Sequence, residues 1–317
     1  MKVRVALIGF GFLGKFHAEK VEKTELAELV AIVEMSPDRI AAAKAQFPKA
    51  KVVKSLAEVI NEIDAGVVVT PTKFHYQVVE ELLLKNKHVF CEKPLCPTLE
   101  EASKIKSHFL NAKNCVFQVG HSERFHDIWN KLQNTNELFK DFNFEKFIAT
   151  PSVVRIQRTS SFKGRATDVD VVNDLMIHDL DLINYLFHKT PMKSKIKTHG
   201  FKSISNNWDY VWAQLDYKNL MAEIIVSRYH AEEVRKIEIV NELGCLVVDL
   251  LNCKCHLTTK NVHEIQTITY EKRDHLLIEH TAFYKSIQNK TQGIVTLDEG
   301  ILMVEQINLI LRSLSEK

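Results

Sequence analysis

A chain of 317 residues is too long for one ordinary core and fits two domains. Its composition, 45% hydrophobic and 26% charged, is that of a globular protein and excludes disordered and fibrous classes. A net charge of +2 gives no reason to expect nucleic acid or an anionic membrane as a partner, and no apolar run reaches the roughly eighteen residues of a membrane span.

Met1 leads directly into a strand without a signal-peptide pattern, so a cytoplasmic location is expected. The run Val3-Arg4-Val5-Ala6-Leu7-Ile8 reads as a strand buried on both faces. It breaks into Gly9-Phe10-Gly11-Phe12-Leu13-Gly14, a G-x-G-x-x-G loop opening a helix expected from Leu13 to about Glu22. In such a loop Gly9 makes the tight turn, Gly11 admits a pyrophosphate and Gly14 lets helix and strand pack closely, with Phe12 and Leu13 between them. A second strand, Leu29 to Val33, ends at Glu34, at the spacing where a carboxylate takes the ribose hydroxyls of a dinucleotide.

A helix from Pro37 to about Phe47 follows, capped by Ser36, then a strand at 51–53 and a helix from Ser55 to Glu62. Next come a strand from Ala65 to Thr70 ending at Pro71, a helix from about Phe74 to Lys85 and a strand from His88 to Cys91. A helix from Leu99 to Ala112, capped by Thr98, and a strand from Cys115 to Val119 complete the series. Alternating strands and helices imply a parallel, doubly wound sheet with its ligand at the carboxyl ends of the strands. Those ends are Gly9 to Gly14, Glu34, Thr70-Pro71, Glu92-Lys93-Pro94 and Gly120-His121.

Beyond His121 the rhythm changes. A helix is expected from Arg124 to Leu138, a long strand from Lys146 to Ser160 and an amphipathic helix from Asn173 to Phe187. Strands follow at Ser194 to Ser203, Trp208 to Tyr217, Leu220 to Tyr229, Arg235 to Asn241, Cys245 to Leu250 and His263 to Tyr270. Helices near Leu276 to Asn289 and Leu297 to Leu314 close the chain. The expected fold class is α/β: an N-terminal Rossmann domain over residues 1–120, and over 121–317 a C-terminal α/β domain with a large, mostly antiparallel, open-faced sheet. The active site is expected in a cleft between them. Apolar alternation on that open face suggests a homodimer or homotetramer.

Six cysteines show no paired C-x2-C spacing, so free thiols rather than a zinc site are expected. Lys93, at a strand end and fixed by the following Pro94, could hydrogen-bond a substrate hydroxyl and exchange a proton with it; it equally suits a surface ion pair with Glu92. Asp174, His178 and Asp181 fall at i, i+4 and i+7 on one helical face, where a carboxylate beside an imidazole makes a general base. The same three also suit a cap, a core histidine and a solvated acid. No local spacing supplies a third metal ligand.

Gly9-x-Gly11-x-x-Gly14, Glu92-Lys93-Pro94, Gly120-His121 with Arg124-Phe125, and Asp174-x3-His178 together resemble the glucose-fructose oxidoreductase / inositol dehydrogenase (Gfo/Idh/MocA) family along the whole chain. The resemblance implies hydride exchange between NAD(P) and a secondary alcohol of a sugar or nucleotide-sugar. By it Lys93, Asp174 and His178 are the catalytic group. Thr70, Pro71, His75 and Glu92 then belong with the glycines and Glu34 in the cofactor site, and His121 and Arg124 with the substrate. The wording from Asp168 to Asp181, preceded by Arg158 and Arg165, resembles the branch that includes UDP-N-acetylglucosamine 3-dehydrogenases, in which those arginines would grip a diphosphate bidentately. The family's usual acid after the second strand is Asp; Glu34 still repels a 2′-phosphate and so favours NAD, while Arg39 leaves NADP open. An NAD-using glycosidase and a non-catalytic NAD(P)-binding regulator are the alternatives.

Overall fold

The computed structural model describes residues 1–134, 138–139, 142–164, 167–188, 195–260 and 262–316. The chain divides into two compact units, Met1–Ser122 with Asp274–Val304, and Glu123–Arg273 with Glu305 to the C-terminus. The sequence places everything after residue 120 in one domain, whereas residues 274–304 belong with the first unit. Apolar periodicity marks a helix face as buried without saying which core it enters.

In the first unit β1 (Val3–Ile8), β2 (Ala27–Val33), β3 (Lys51–Val53), β4 (Ala65–Val68), β5 (His88–Glu92) and β6 (Phe117–Gly120) form one sheet in the order β3-β2-β1-β4-β5-β6. All its pairings are parallel. Four helices, α1 (Phe12–Lys23), α2 (Pro37–Gln46), α3 (His75–Leu84) and α4 (Leu99–Asn111), make the crossovers. The strands read as nearly unbroken apolar runs because both faces are covered; every residue of β4 is buried. Val5, Leu7, Phe10, Ile32, Val67 and Phe90 make the core with Phe283 and Tyr284. The last two come from α8 (His275–Asn289), which is how the late segment joins this unit. Chain order reverses between β1 and β4, the switch point at which such sheets bind ligands. The helix expected from Ser55 to Glu62 is only a 3₁₀ turn, Leu56–Glu58, capped by Ser55.

The second unit holds α5 (Asp127–Asn134), α6 (Phe144–Ala149), β7 (Ser152–Thr159), α7 (Ile177–Phe187) and the strands β8 (Ile196–Phe201), β9 (Tyr210–Tyr217), β10 (Leu220–Ser227), β11 (Val234–Asn241), β12 (Gly244–Asp249), β13 (Lys254–Thr259) and β14 (Val262–Thr269). The eight strands are ordered β14-β13-β12-β11-β7-β10-β9-β8, antiparallel except where β7 runs parallel to β10. Burial alternates along β9 and β10, the mark of a sheet packed on one face only. A last helix, α9 (Leu297–Ser315), ends the chain. No helix among the described residues is long and apolar enough to cross a membrane.

Several sequence boundaries are corrected. The helix expected over 124–138 is a 3₁₀ turn at Ser122–Phe125 followed by α5, and residues 135–137 lie outside the described ones. The strand expected from Lys146 is preceded by a short helix, α6, because Phe144 and Phe147 fall on one face and are buried together. Ser194, the expected start of a strand, lies outside the described residues, and β13 escaped the sequence reading altogether. All six cysteines are free thiols, four of them buried. Burial pushes Cys96 and Cys255 up to about 12.

Candidate active site

The β1–α1 turn is shaped by close approach. Gly9 has φ +97°, and a Cβ there would lie 2.8 Å from the Val69 carbonyl oxygen of the neighbouring strand end. A Cβ at Gly14 would collide with the Gly9 carbonyl, so the missing side chain lets α1 start against β1. Gly11 differs: a Cβ there would meet nothing within 4 Å. Gly11 is also the N-cap of α1 and supplies no side-chain cap at the start of this 12-residue helix, the end at which an anion is favoured. The arrangement fits a dinucleotide: Gly9, Gly11 and Gly14 would frame its pyrophosphate, beside exposed Phe12 and Leu13.

Glu34 ends β2 and is 6% exposed. Its Oε2 accepts the Phe10 N–H at 2.9 Å, and its Oε1 accepts the Met35 and Ser36 N–H groups at 2.8 and 2.9 Å. Arg39 Nε lies 3.1 Å from Oε2. Burial pushes this carboxyl up, but the three N–H groups and Arg39 together hold it below the usual range. It is therefore an anion tied to the glycine loop itself.

At the next strand ends, Thr70 is half-buried and Pro71 exposed. His75 is 1% exposed, with Nε2 2.8 Å from the Thr70 carbonyl oxygen and Nδ1 2.9 Å from that of Pro94. Burial pushes it below the ordinary imidazole range. The sequence reading gives His75 to the cofactor directly; in the structure both ring nitrogens face protein carbonyls, so it braces Thr70 and Pro94 from beneath. Lys93 is half-buried at the end of β5, before a cis peptide to Pro94. Glu92 turns inward, accepting the Lys93 N–H at 3.0 Å and lying 3.1 Å from His17 Nε2. His121 is 1% exposed just past β6.

In the second unit the helix expected from Asn173 is not regular. Val172–Met176 is a π-helical turn, and α7 begins at Ile177. Asp170 caps the turn, its carboxylate accepting the Asn173 N–H at 2.8 Å and the Asn173 side-chain amide at 2.8 Å. The wider turn alters the phase, so the spacing 174, 178, 181 does not describe one α-helical face. Asp174 and His178 are half-buried, whereas Asp181 is 0% exposed. Asp181 holds Arg124 bidentately, at 2.7 Å to Nε and 2.5 Å to Nη2.

That pairing overturns the substrate role expected of Arg124, which is 6% exposed and committed to α7. Arg158 is likewise spent. It is 5% exposed, bonds Asp179 Oδ1 through Nε at 2.9 Å and Nη2 at 2.8 Å, and reaches Glu123 Oε2 at 3.2 Å. Arg165 lies outside the described residues. Glu123, which the sequence reading passed over, is a hub. Burial pushes it up, but Arg158, then His126, Arg235 and His178, hold it well below the usual carboxylate range. Asp179 goes the other way: burial raises it despite Arg158, and its Oδ2 has no hydrogen-bond partner among the described residues. The two salt bridges grip α7 at Asp179 and Asp181, in the turn that follows His178.

Asp174 lines a cavity of about 140 Å³ with Leu175, Arg158, Lys163, Arg228 and Arg235. Arg228 and Arg235 were missed by the sequence reading; their only signal was a cation at the end of one expected strand and the start of the next.

Residues 3–121 match the model of the oxidoreductase family with an NAD-binding Rossmann fold. A UDP-N-acetylglucosamine 3-dehydrogenase of Acidithiobacillus ferrooxidans is 27% identical over 294 residues, covering 90% of this chain and 88% of that protein. Its solved structure superposes with a TM-score of 0.89 at 26% identity, covering 100% and 99% of the two chains. A myo-inositol 2-dehydrogenase of Thermotoga maritima is 29% identical over 190 residues, 58% of this chain and 54% of that one. A levoglucosan dehydrogenase in complex with NADH shares the fold, with a TM-score of 0.86 at 17% identity over 100% and 98% of the chains. Over residues 3–121 the chain carries the NAD-binding Rossmann domain of the Gfo/Idh/MocA oxidoreductases. The similarity to the UDP-N-acetylglucosamine 3-dehydrogenase runs through both units.

Two predictions follow from this geometry. Gly11→Ala should leave the melting temperature unchanged yet weaken NAD binding at least about tenfold by calorimetry, since only the ligand needs that space; Gly14→Ala should lower both. Arg158→Met should cost about 3–5 kcal/mol in urea denaturation, because two buried carboxylates lose their cation. Glu123 is depressed when folded, so its contribution is full above the unfolded carboxyl pKa and is lost as pH falls through the folded value. The variant's stability should therefore lose that acid dependence.

Proposed function

We propose that this enzyme oxidises a secondary alcohol of a sugar or nucleotide-sugar, with the 3-hydroxyl of UDP-N-acetylglucosamine as first candidate. The observation that carries this reading is the extent of the similarity: 90% of the chain, including the second unit with Asp174 and His178, aligns with an enzyme of that name. NAD, when bound, supplies the hydride acceptor. The chain's own residues handle the proton and the position. Lys93, in the first unit, donates a hydrogen bond to the reacting oxygen. His178, in the second, accepts the hydroxyl proton, with Asp174 raising its basicity.

Two cations of the second unit keep exposed heads that a diphosphate could use. Lys163 is 47% exposed and pairs with Glu233 at the surface, and Arg235 is 35% exposed and 3.4 Å from Glu123. They take the role the sequence reading gave to Arg158.

The unpacked side of the eight-stranded sheet brings Val153 (36% exposed) and Val240 (38%) together as paired residues, with Ile265 67% exposed near its edge strand. This is the basis for a homo-oligomer through that face. Light scattering after size exclusion should give a dimer or tetramer at micromolar concentration; a monomer would remove this part of the reading.

The activity test is a panel of UDP-sugars, free sugars and inositols followed by NADH absorbance. Oxidation of UDP-N-acetylglucosamine is the expected result, and glycoside cleavage without net reduction would overturn the assignment. In single-turnover experiments Lys93→Ala and His178→Ala should each slow hydride transfer by roughly 100-fold or more, and near wild-type rates in both would contradict the roles given.

A further inference from the structure

Glu92 is one end of a run of buried polar side chains that the proposed reaction does not use. His17 on α1 places Nε2 3.1 Å from Glu92 Oε1 and Nδ1 2.9 Å from Nε2 of His280 on α8. His280 Nδ1 is in turn 3.0 Å from Tyr284 Oη. His17, His280 and Tyr284 are 0% exposed, and Glu92 6%. Phe90 stacks on His280 with ring centroids 4.9 Å apart and meets His17 edge-on at 5.6 Å, so neither ring can turn to water.

The acceptor end sets the hydrogens. Glu92 Oε1 and His17 Nε2 meet at ion-pair distance, not in an aligned hydrogen bond, and since a carboxylate presents only lone pairs the proton belongs on Nε2. In neutral rings His17 Nδ1 then accepts from His280 Nε2–H, and His280 Nδ1 accepts from Tyr284 O–H. Every bond points toward Glu92. Burial holds His280 well below the ordinary imidazole range, with His17 and Lys20 acting the same way, which keeps that ring neutral. Glu92 faces His17 from α1, Lys93 and Cys91 on its own strand, and His75 on α3. Its other oxygen accepts the Lys93 N–H, and a Cβ at Gly120 would come within 2.6 Å of its Oε1, so its rotamer is confined on that side as well.

We infer that His17, His280 and Tyr284 are positioning residues for Lys93: a one-way hydrogen-bond chain from α8 orients His17, the ion-pair contact of His17 with Glu92 fixes the rotamer and charge of that acid, and Glu92 fixes the backbone of Lys93. The inference rests on the role proposed for Lys93. It links a helix late in the chain to the strand end where the chemistry is proposed, through side chains that touch neither substrate nor cofactor.

The test has two arms. Imidazole ¹⁵N spectra of the full chain without cofactor should show the proton on Nε2 of both rings, with His280 neutral between about pH 6 and pH 9; an Nδ1–H tautomer at His280 overturns the chain's direction. In the kinetic arm, His17→Leu removes one donor from Glu92. Burial then pushes that carboxyl up, so the acidic limb of kcat against pH should move to higher pH, with kcat at neutral pH about tenfold lower. His17→Gln, whose amide N–H can reach the same oxygen, should restore the wild-type limb. Tyr284→Phe, which removes a single hydroxyl, should move it in the same direction by less, and decides the matter if His17→Leu does not fold. A wild-type pH profile in the folded variants overturns the inference. If the unsubstituted enzyme oxidises nothing in the sugar panel, the proposed function fails while the spectra still decide the chain.

Discussion

A carboxylate taken out of water must be met by donors at its lone pairs, and the functional half of this structure is organised by that requirement. Glu34 ends β2, Glu92 ends β5 and Glu123 follows β6, and each is 6% exposed or less. Each is held by a different device: backbone N–H groups of the glycine loop and the following turn for Glu34, an imidazole and the Lys93 N–H for Glu92, a guanidinium shared with Asp179 for Glu123. Each acid also takes one partner from far along the chain, Phe10 for Glu34, His17 for Glu92 and Arg158 for Glu123, and so is fastened to something distant in sequence. Parallel strands leave their carboxyl ends as loops, and loops are the least constrained part of a doubly wound sheet. Buried acids supply the constraint where the chemistry needs rigid geometry.

How much of this was legible in the sequence depended on distance along the chain. The strands of the first unit were readable because burial on both faces leaves a composition signature, and the glycine loop because its pattern is local, with Gly14 packed on the Gly9 carbonyl; that Gly9 in turn meets Val69 on another strand end is not written in the loop. Helix α6 was merged with β7 because a short apolar segment fits either period. Strand β13, Lys-Cys-His-Leu-Thr-Thr, carries too few apolar residues to announce itself, although Cys255 and Leu257 alternate inward as a strand requires. The π-helical turn has no sequence signal of its own; it shows only as the failure of the 174, 178, 181 spacing to describe one face.

The partners of charged residues were the least legible part. Arg158 reads in sequence as an arginine close to a predicted substrate region, and nothing local says that Asp179 and Glu123 close around it from 21 and 35 positions away. The same holds for Arg124 and Asp181, 57 apart. A family resemblance carries positions across but not the state of a charge at those positions. An arginine is available to a ligand only if the fold has not already used it, and that is a count over three dimensions.

Applied to the second unit, that count reverses the sequence-based order of importance. Four cations line the cavity beside Asp174. Arg158 is consumed by two buried acids, and Arg228 by the Val169 carbonyl and Asp209. Lys163 pairs with Glu233 at the surface, where water competes and such a pair is worth little, while Arg235 is 35% exposed and shares buried Glu123 with Arg158, which still holds that acid when Arg235 turns to a ligand. A diphosphate, with more charge than one carboxylate and oxygens suited to a planar fork, can displace such weak pairs at small cost. It could not displace Arg158 without leaving Asp179 and Glu123 stranded. The buried arginines therefore build the site, and the half-exposed cations are left to recognise what enters it.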